Sequence, residues 1–296
     1  MTDTADAAGG AAGGHLTGID HLVLAVRDLE AAAATFRRLG FTITPRGRHR
    51  DMATGNYCIM FGPDYLELIG IIDPDKPDRG LRARMDQRGE GPDRTAFTTD
   101  DVAACAAALR SAGIDCTGPL DLRRPLELPT GEVEPRFRLV TLPPGTAPVL
   151  NGFVCYHDTP AMVRTPEWLS HANRTRRMTA LWSVTDDAPS LHRAWAALAG
   201  DDALTLCDGG FSLQTGRMTA HFLSRAALQA AQPELDMTAL PAMDCMVGVD
   251  LAVADLSATR SALASGGVPF TECRDGAVLV QPADAHGTAI RFVSDE

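Results

Sequence analysis

One unit recurs along this chain. Asp28 and Gly40 stand twelve residues apart, as do Asp101 and Gly113, and again Asp255 and Gly267. Asp187 and Gly200, thirteen apart, make a looser copy. In every copy an apolar run precedes the aspartate and an extended segment follows the glycine. The intervening residues are rich in alanine and leucine, good helix formers. The end residues suit a helix too. An aspartate at the N-cap accepts from the first free N–H groups. A glycine just past the C-terminus takes the left-handed backbone that ends a helix. A recurring unit constrains the fold more than composition does, because it marks a supersecondary building block.

Three candidate strands follow each helix. They are Phe41–Pro45, Tyr57–Phe61 and Tyr65–Ile72 in the first unit, and Ile114–Leu120, Arg136–Leu142 and Val149–Tyr156 in the second. The third offers Leu204–Cys207, Phe211–Gln214 and Met218–Leu223; the fourth offers Pro269–Cys273, Ala277–Gln281 and Ala289–Val293. The unit is therefore strand–helix–strand–strand–strand. A lone unit cannot cover its own sheet, so units pair. The expected fold is α+β: four βαβββ modules paired into two cupped mixed β-sheet domains, with helices on the outside. A polar stretch with Pro160 and Pro166 separates the pairs. This divides the chain into a disordered tail (1–14), an N-terminal domain (15–157), a linker (158–177) and a C-terminal domain (178–296). Residues 74–92 connect the first two modules and hold a short helix around Leu81–Arg88.

Composition narrows the function. The 296 residues include 27 Lys and Arg against 38 Asp and Glu, a net charge of -11. Phosphate backbones and anionic membranes need a basic face, so neither nucleic acid nor membrane is expected as a partner. No apolar run reaches the ~18 residues of a membrane span. The cysteines number seven, an odd count without a Cys-x-x-Cys pair, which argues against a disulfide framework and a structural zinc site. The first residues lack the basic and apolar regions of a secretory signal. A cytoplasmic protein with a small-molecule substrate is the expectation, and a homodimer is compatible with it.

Two residues interrupt the apolar strands of the first module. His21 lies in Gly18-Ile-Asp-His-Leu-Val-Leu-Ala-Val26, and Glu67 in Tyr65-Leu-Glu-Leu-Ile69. Strand side chains alternate faces, so Glu67 shares a face with Tyr65 and Ile69, and His21 with Val23 and Ala25. A buried carboxylate needs a partner, because desolvation costs several kcal/mol. A divalent cation is one such partner; a solvent-facing glutamate beside a core histidine is the plainer alternative. His49 stands in a long connection beside Arg46, Arg48 and Arg50. A histidine there suits a general base, and the arginines suit an anionic substrate. His171 and Asn173, in the linker, are weaker candidates for the same pocket.

These stretches resemble the vicinal oxygen chelate superfamily of glyoxalases, bleomycin-resistance proteins and extradiol dioxygenases. Residues 18–26 are similar to its first strand, and Asp64-Tyr-Leu-Glu-Leu-Ile69 to its fourth strand with the metal-binding glutamate. Gly47-Arg-His49 and Met52-Ala-Thr-Gly-Asn56 resemble its glyoxalase-like branch, in which such a loop closes over the pocket. The resemblance implies a divalent metal (Fe, Mn, Zn, Ni or Co) held by His21 and Glu67. It also implies substrate contacts from Arg48, Thr54 and Asn56, with His49 as catalytic base. The superfamily takes a second His/Glu pair from the partner module. Aligning Asp101 on Asp28 places Arg94 at the position of His21, and Cys155 is expected at the position of Glu67. His157, two residues on, becomes the candidate third metal ligand, and Arg94 and Cys155 become substrate-binding candidates. The third and fourth modules offer Ala180, His221, Gly248 and Arg291 at these places, so the C-terminal pair is expected to brace the first. The implied function is a metal-dependent lyase or isomerase of glyoxalase type, acting through an enolate on a substrate with vicinal oxygens. The alternatives are a ring-cleaving dioxygenase and a protein without metal that sequesters a small molecule.

Overall fold

The computed structural model describes residues 15–128 and 131–295; the expected tail, 1–14, lies outside them. The first sheet contains β1 (Gly18–Ala25), β2 (Gly47–Arg48), β3 (Thr54–Met60), β4 (Tyr65–Ile71) and β5 (Gly91–Thr98). It continues with β6 (Thr117–Arg123), β7 (Leu126–Leu128), β8 (Gly131–Val133), β9 (Arg136–Thr141) and β10 (Phe153–His157). The second contains β11 (Thr175–Val184), β12 (Leu204–Cys207), β13 (Gly210–Thr215) and β14 (Met218–Leu223), then β15 (Cys245–Val253), β16 (Thr271–Glu272), β17 (Val278–Val280) and β18 (Ala289–Ser294). The helices are α1 (Leu29–Arg38), α2 (Leu81–Arg88), α3 (Val102–Ser111), α4 (Ala188–Ala199), α5 (Arg225–Ala231) and α6 (Leu256–Ser265). None is long and apolar enough to cross a membrane.

The repeated aspartates do what their spacing implies. Asp28 accepts from the backbone N–H of Glu30 and Ala31, Asp101 from Ala103 and Ala104, and Asp255 from Ser257 and Ala258. Asp187, in the looser copy, accepts only from Ser190. Gly40, Gly113 and Gly267 have φ of 88°, 81° and 64°, a backbone that costs glycine no steric strain. Each helix then leads into three strands, and the modules pair back to back. The first sheet runs β6-β9-β10-β5-β1-β4-β3-β2-β7-β8, and the second β12-β13-β14-β11-β15-β18-β17-β16. At each centre the leading strands of two modules meet antiparallel: β1 with β5 and β11 with β15. Every residue of β1 is buried, so apart from Asp20 and His21 it reads as a continuous apolar run rather than an alternation.

Three features depart from the expected pattern. Residues 41–45 form no ladder, because the Thr42 N–H goes to the ring Nδ1 of His171 at 3.0 Å; the paired edge is β2 instead. A hairpin, β7–β8, is inserted between β6 and β9. It turns over after Arg124-Pro125 and pairs Leu126 with Gly47 of β2, at the far end of the sheet. The chain between β6 and β7 therefore bridges from one end of the first sheet to its β2 edge. Third, α5 was not anticipated; Ser224 caps it by accepting from Ala227.

The segment between the sheets is packed rather than loose. His171 spans from the Thr42 N–H to the Met60 carbonyl, 2.9 Å from its Nε2. Asn173 donates to the Leu39 carbonyl at 2.9 Å, and its own carbonyl accepts from Thr259 at 2.7 Å. Both are therefore structural and do not enter the pocket. The two sheets share one hydrophobic core, across which Phe41 stacks on Phe292 and Phe97 meets Trp195 edge-on.

One buried acid also joins the sheets. Asp64 Oδ1 accepts from the Met178 N–H at 3.0 Å. Burial pushes its carboxyl from 3.8 up to about 7, against the lowering effect of that hydrogen bond. The folded chain thus holds a proton that the unfolded chain releases, and this contribution to stability is lost as pH rises from about 4 through about 7. Asp64→Asn keeps an acceptor for Met178 but does not titrate. We expect its melting temperature to gain on the wild type between pH 5 and pH 8, by the equivalent of on the order of 2 kcal/mol. An unchanged difference across that range in thermal melts would contradict the assignment.

Candidate functional site

The concave face of the first sheet surrounds a cavity of about 150 Å³. At its floor lies a chain of buried charges. The β1–β5 ladder shifts register between Ile19 and His21, so Asp20 is the extra residue of a bulge. Bulges re-aim side chains, and here the Asp20 carboxylate lies 2.7 Å from His21 Nδ1. The other ring nitrogen, Nε2, is 3.3 Å from Glu67 Oε2. The Asn56 amide donates to the remaining Glu67 oxygen at 2.5 Å. Tyr65 stacks on the His21 ring with centroids 4.3 Å apart.

The charges hold one another. Burial opposes ionisation of His21, but its bonds to Asp20 and Glu67 outweigh burial and raise its pKa. Burial likewise opposes the Glu67 charge, yet His21 holds that carboxyl down at about 2. Asp20 sits far below the ordinary carboxylate range, because His157 and His21 both bond to it.

His49 follows β2, and its Nδ1 lies 2.8 Å from the Thr54 hydroxyl. The ring lines the cavity beside Glu67. Burial lowers its pKa below the ordinary 6.5, with Glu67 opposing the shift.

The opposite half of the cavity differs from the expected pattern. Across the central ladder His21 pairs with Ala96, and Val23 with Arg94. This exchange is a local twofold that puts Arg94 where His21 stands, as the module alignment implied. The outer ladders correct the other match. Val23 faces Glu67 on β4, and its counterpart Ala96 faces Phe153 on β10. Phe153, not Cys155, therefore takes the place of Glu67. The Arg94 guanidinium lies over the Phe153 ring, 5.0 Å from its centroid. Cys155 is buried two residues on, still against the cavity.

Of the residues singled out in sequence, His21, His49, Thr54, Asn56, Glu67, Arg94 and Cys155 converge on this cavity. Arg48 does not. It points outward from its edge strand and pairs with Glu132 of the hairpin at 3.0 Å. His157 is turned away from Glu67, with its Nε2 2.9 Å from Asp20 Oδ2. Sequence reading passed over Asp20, although a polar pair inside an apolar strand was its signal. It also passed over Arg79, Arg84 and Arg124, which line the cavity from the segment before α2, from α2 itself and from the connection into the unforeseen hairpin.

Metal donors of two kinds are present. His21 Nε2 and the Glu67 carboxylate are two donors in the cavity, but their counterparts are a guanidinium and a phenyl ring. Catalytic sites of this type ordinarily use three protein ligands. The cavity therefore does not fit a resident cation held in the four-ligand manner the resemblance implied. On the other side of His21, one donor atom each from Asp20, Cys155 and His157 lie within 4.8 Å of one another. The His157 Nδ1 is buried without a partner.

At the centre of the second sheet the corresponding side chains pair with one another. Trp182 stacks on His221, whose Nδ1 is 2.8 Å from the Ser212 hydroxyl. Asp250 accepts from Trp182 Nε1 at 2.7 Å and from Arg291 at 2.6 Å. These side chains satisfy one another and fill the cup. A wider cleft of about 610 Å³ lies near α1 and residues 282–287. Of its two acids, Glu90 and Asp284, the first is taken up by the Arg27 N–H and by His286.

Solved structures share this architecture at low identity. A hypothetical protein from Staphylococcus aureus matches with a TM-score of 0.65 and 10% identity, over 93% of this chain and 98% of its own. A triple mutant of 4-hydroxymandelate synthase from Streptomyces coelicolor gives 0.57 and 13%, covering 94% and 92%. A fusion of a xylose isomerase-like TIM barrel with 4-hydroxyphenylpyruvate dioxygenase gives 0.53 and 12%, over 94% of this chain and 48% of that one. No curated protein matches at the sequence level. Residues 19–199, more than half the chain, match the family described as Glyoxalase-like domain. With the paired βαβββ modules and the His21–Glu67 site already in place, the chain belongs to that family, within the vicinal oxygen chelate superfamily.

Proposed function

We propose that the first sheet houses a lyase or isomerase of glyoxalase type, working by proton transfer next to a carbonyl. One observation carries this reading: a half-buried histidine and an arginine without an acidic partner line the same cavity, and burial lowers the histidine's pKa. A general base needs to be neutral and close to its proton. Glu67, held ionised at about 2 by His21, is a weak base, which leaves the role to His49. If His49 Nδ1–H donates to Thr54, the neutral tautomer presents Nε2 as the acceptor.

His49 then takes a proton from the carbon beside the carbonyl; the C–H electron pair becomes a C=C bond as the carbonyl π pair moves onto oxygen, giving an enolate. The Arg94 guanidinium opposes that growing charge from a preorganised position. Where the deprotonated carbon bears a hydroxyl, that hydroxyl's proton passes to the enolate oxygen and His49 returns its own proton to the former carbonyl carbon, completing an isomerisation. Where the next carbon bears a leaving group, the enolate pair returns to re-form the carbonyl as that group departs, completing an elimination. Asp20, His21 and Glu67 position the floor, and Asn56 fixes the Glu67 carboxylate.

A second reading, a metal-dependent enzyme, is favoured by the Asp20, Cys155 and His157 donors. Thiolate, imidazole and carboxylate together suit zinc or another borderline transition metal. Metal analysis of the purified chain separates the two. Near-stoichiometric metal that falls in both Cys155→Ala and His157→Ala supports the second reading; trace metal in an active enzyme supports the first.

For the base, His49→Gln keeps a polar side chain but removes the accepting nitrogen. Turnover should fall roughly 10²–10⁴-fold with the melting temperature unchanged. The base must be unprotonated, so kcat/KM should decline as pH falls through the lowered His49 pKa. Its acidic limb then lies below pH 6.5, the ordinary histidine value. An acidic limb above that value, or full activity in His49→Gln, would remove His49 from the role.

A further inference from the structure

The cavity is cationic in an acidic protein. The chain carries a net charge of -11, yet four arginines line the cavity against three acids, Glu67, Asp78 and Asp93. Each of those acids is already engaged. Glu67 is held by His21 and Asn56. Asp93 is gripped by Arg84 through both carboxylate oxygens, at 2.9 and 3.0 Å, and by Arg88. Asp78 caps α2 by accepting from the Gly80 and Arg82 N–H groups. Among the described residues, no carboxylate lies within ion-pair distance of Arg79 or Arg94.

These two arginines mark a threshold. Together with Arg84 and Thr141 they line both the inner cavity and a second one of about 350 Å³, bounded by Pro143, Pro144 and Asn151. Arg79 is held in place rather than merely exposed there. Its φ is 50°, in the left-handed region that non-glycine residues seldom adopt. The Arg84 guanidinium, fixed by Asp93, donates to the Arg79 carbonyl at 3.0 Å. Arg94 is fixed by its stack on Phe153. Unpaired guanidiniums brought together within one protein repel, and the burial and neighbouring arginines around Arg94 lower its pKa. An anion between them removes that repulsion and gains charge-assisted hydrogen bonds.

We infer that Arg79 and Arg94 form a clamp for a permanently anionic group of the substrate, a carboxylate or a phosphate ester, at the threshold between the two cavities. The inference rests on the inner cavity being the reaction site and names the substrate class that this site takes. The apolar walls of the inner cavity, with Val23, Phe137 and Leu139 among them, accept the uncharged remainder. The ligand is thus a small organic acid rather than a bare inorganic ion.

Calorimetric titration of the full chain with benzoate, phenyl phosphate and the neutral isostere benzamide tests this. Benzoate or phenyl phosphate should bind in the millimolar range or tighter, more weakly as salt rises, and benzamide should not bind. Tighter binding of benzoate assigns a carboxylate; tighter binding of phenyl phosphate assigns a phosphate ester. Arg79→Gln, at an exposed position that leaves the fold intact, should weaken the preferred anion about tenfold, and Arg79→Lys should restore part of the loss. Benzamide binding as tightly as the anions, no anion binding at millimolar concentration, or unchanged affinity in Arg79→Gln would each overturn the clamp. His49→Gln should bind the anion as the wild type does. The clamp and the assignment of the base can therefore fail separately.

Discussion

The concave face depends on a charge that cannot be left alone. Asp20 and His21 lie in a strand buried along its whole length, where an isolated ion loses several kcal/mol of solvation. The arrangement persists because each charge has at least two partners. His21 spans Asp20 and Glu67, Asp20 also accepts from His157 and Arg164, and Glu67 accepts from Asn56. Four strands and the segment after β10 are thereby bound to one polar line. Such networks gain when complete and cost most when one member is removed. The polar line therefore specifies where these elements sit as well as what the cavity contains.

The modular repeat supplies symmetry, and the cavity lies where that symmetry breaks. The central ladder keeps the twofold faithfully, with His21 opposite Ala96 and Arg94 opposite Val23. The chemistry is unequal: one half presents imidazole and carboxylate, the other guanidinium and phenyl. In the second sheet the equivalent region holds Trp182, Asp250 and Arg291, which pair with one another. An Asp–Arg pair that is already satisfied has little to offer a ligand, whereas Arg94 has a face free for one. The second pair of modules is folded by the same rules and differs in having spent its polar groups internally. Its aromatic side chains also complete the shared core, with Trp195 against Phe97.

Much of this was legible in the sequence, for a physical reason. Caps are local chemistry, so Asp28, Asp101 and Asp255 announce their helices within a few residues, and the apolar strand runs lie between them. The convergence of His21, Glu67 and His49 was likewise readable, because it follows from the order of strands within one module. Register was not. Cys155 and Phe153 differ by two residues, and both face the same way along an alternating strand. Only the parallel ladder to β5 decides which one stands opposite Ala96. The β7–β8 hairpin was hidden for another reason. Its strands are three residues long and bounded by Pro125 and Pro135, too short for a periodic signal, and it forms by pairing with an edge nearly eighty residues away in sequence.

That hairpin ties the β6 end of the first sheet to its β2 edge, and a buried arginine fastens the junction. Arg124, at its entry, is buried and donates to the Cys58 sulfur at 2.7 Å while lying over the Phe137 ring. The sheet's last-added strands are thus fastened to β3, on the wall opposite β9. Charges in water at contact distance interact by about 1 kcal/mol, but several-fold more strongly where water is excluded. Burial lowers the His49 pKa, and burial together with Arg84 and Arg79 lowers that of Arg94. The pairing of Gly47 with Leu126 also sets the connection that carries His49, since His49 follows directly on β2.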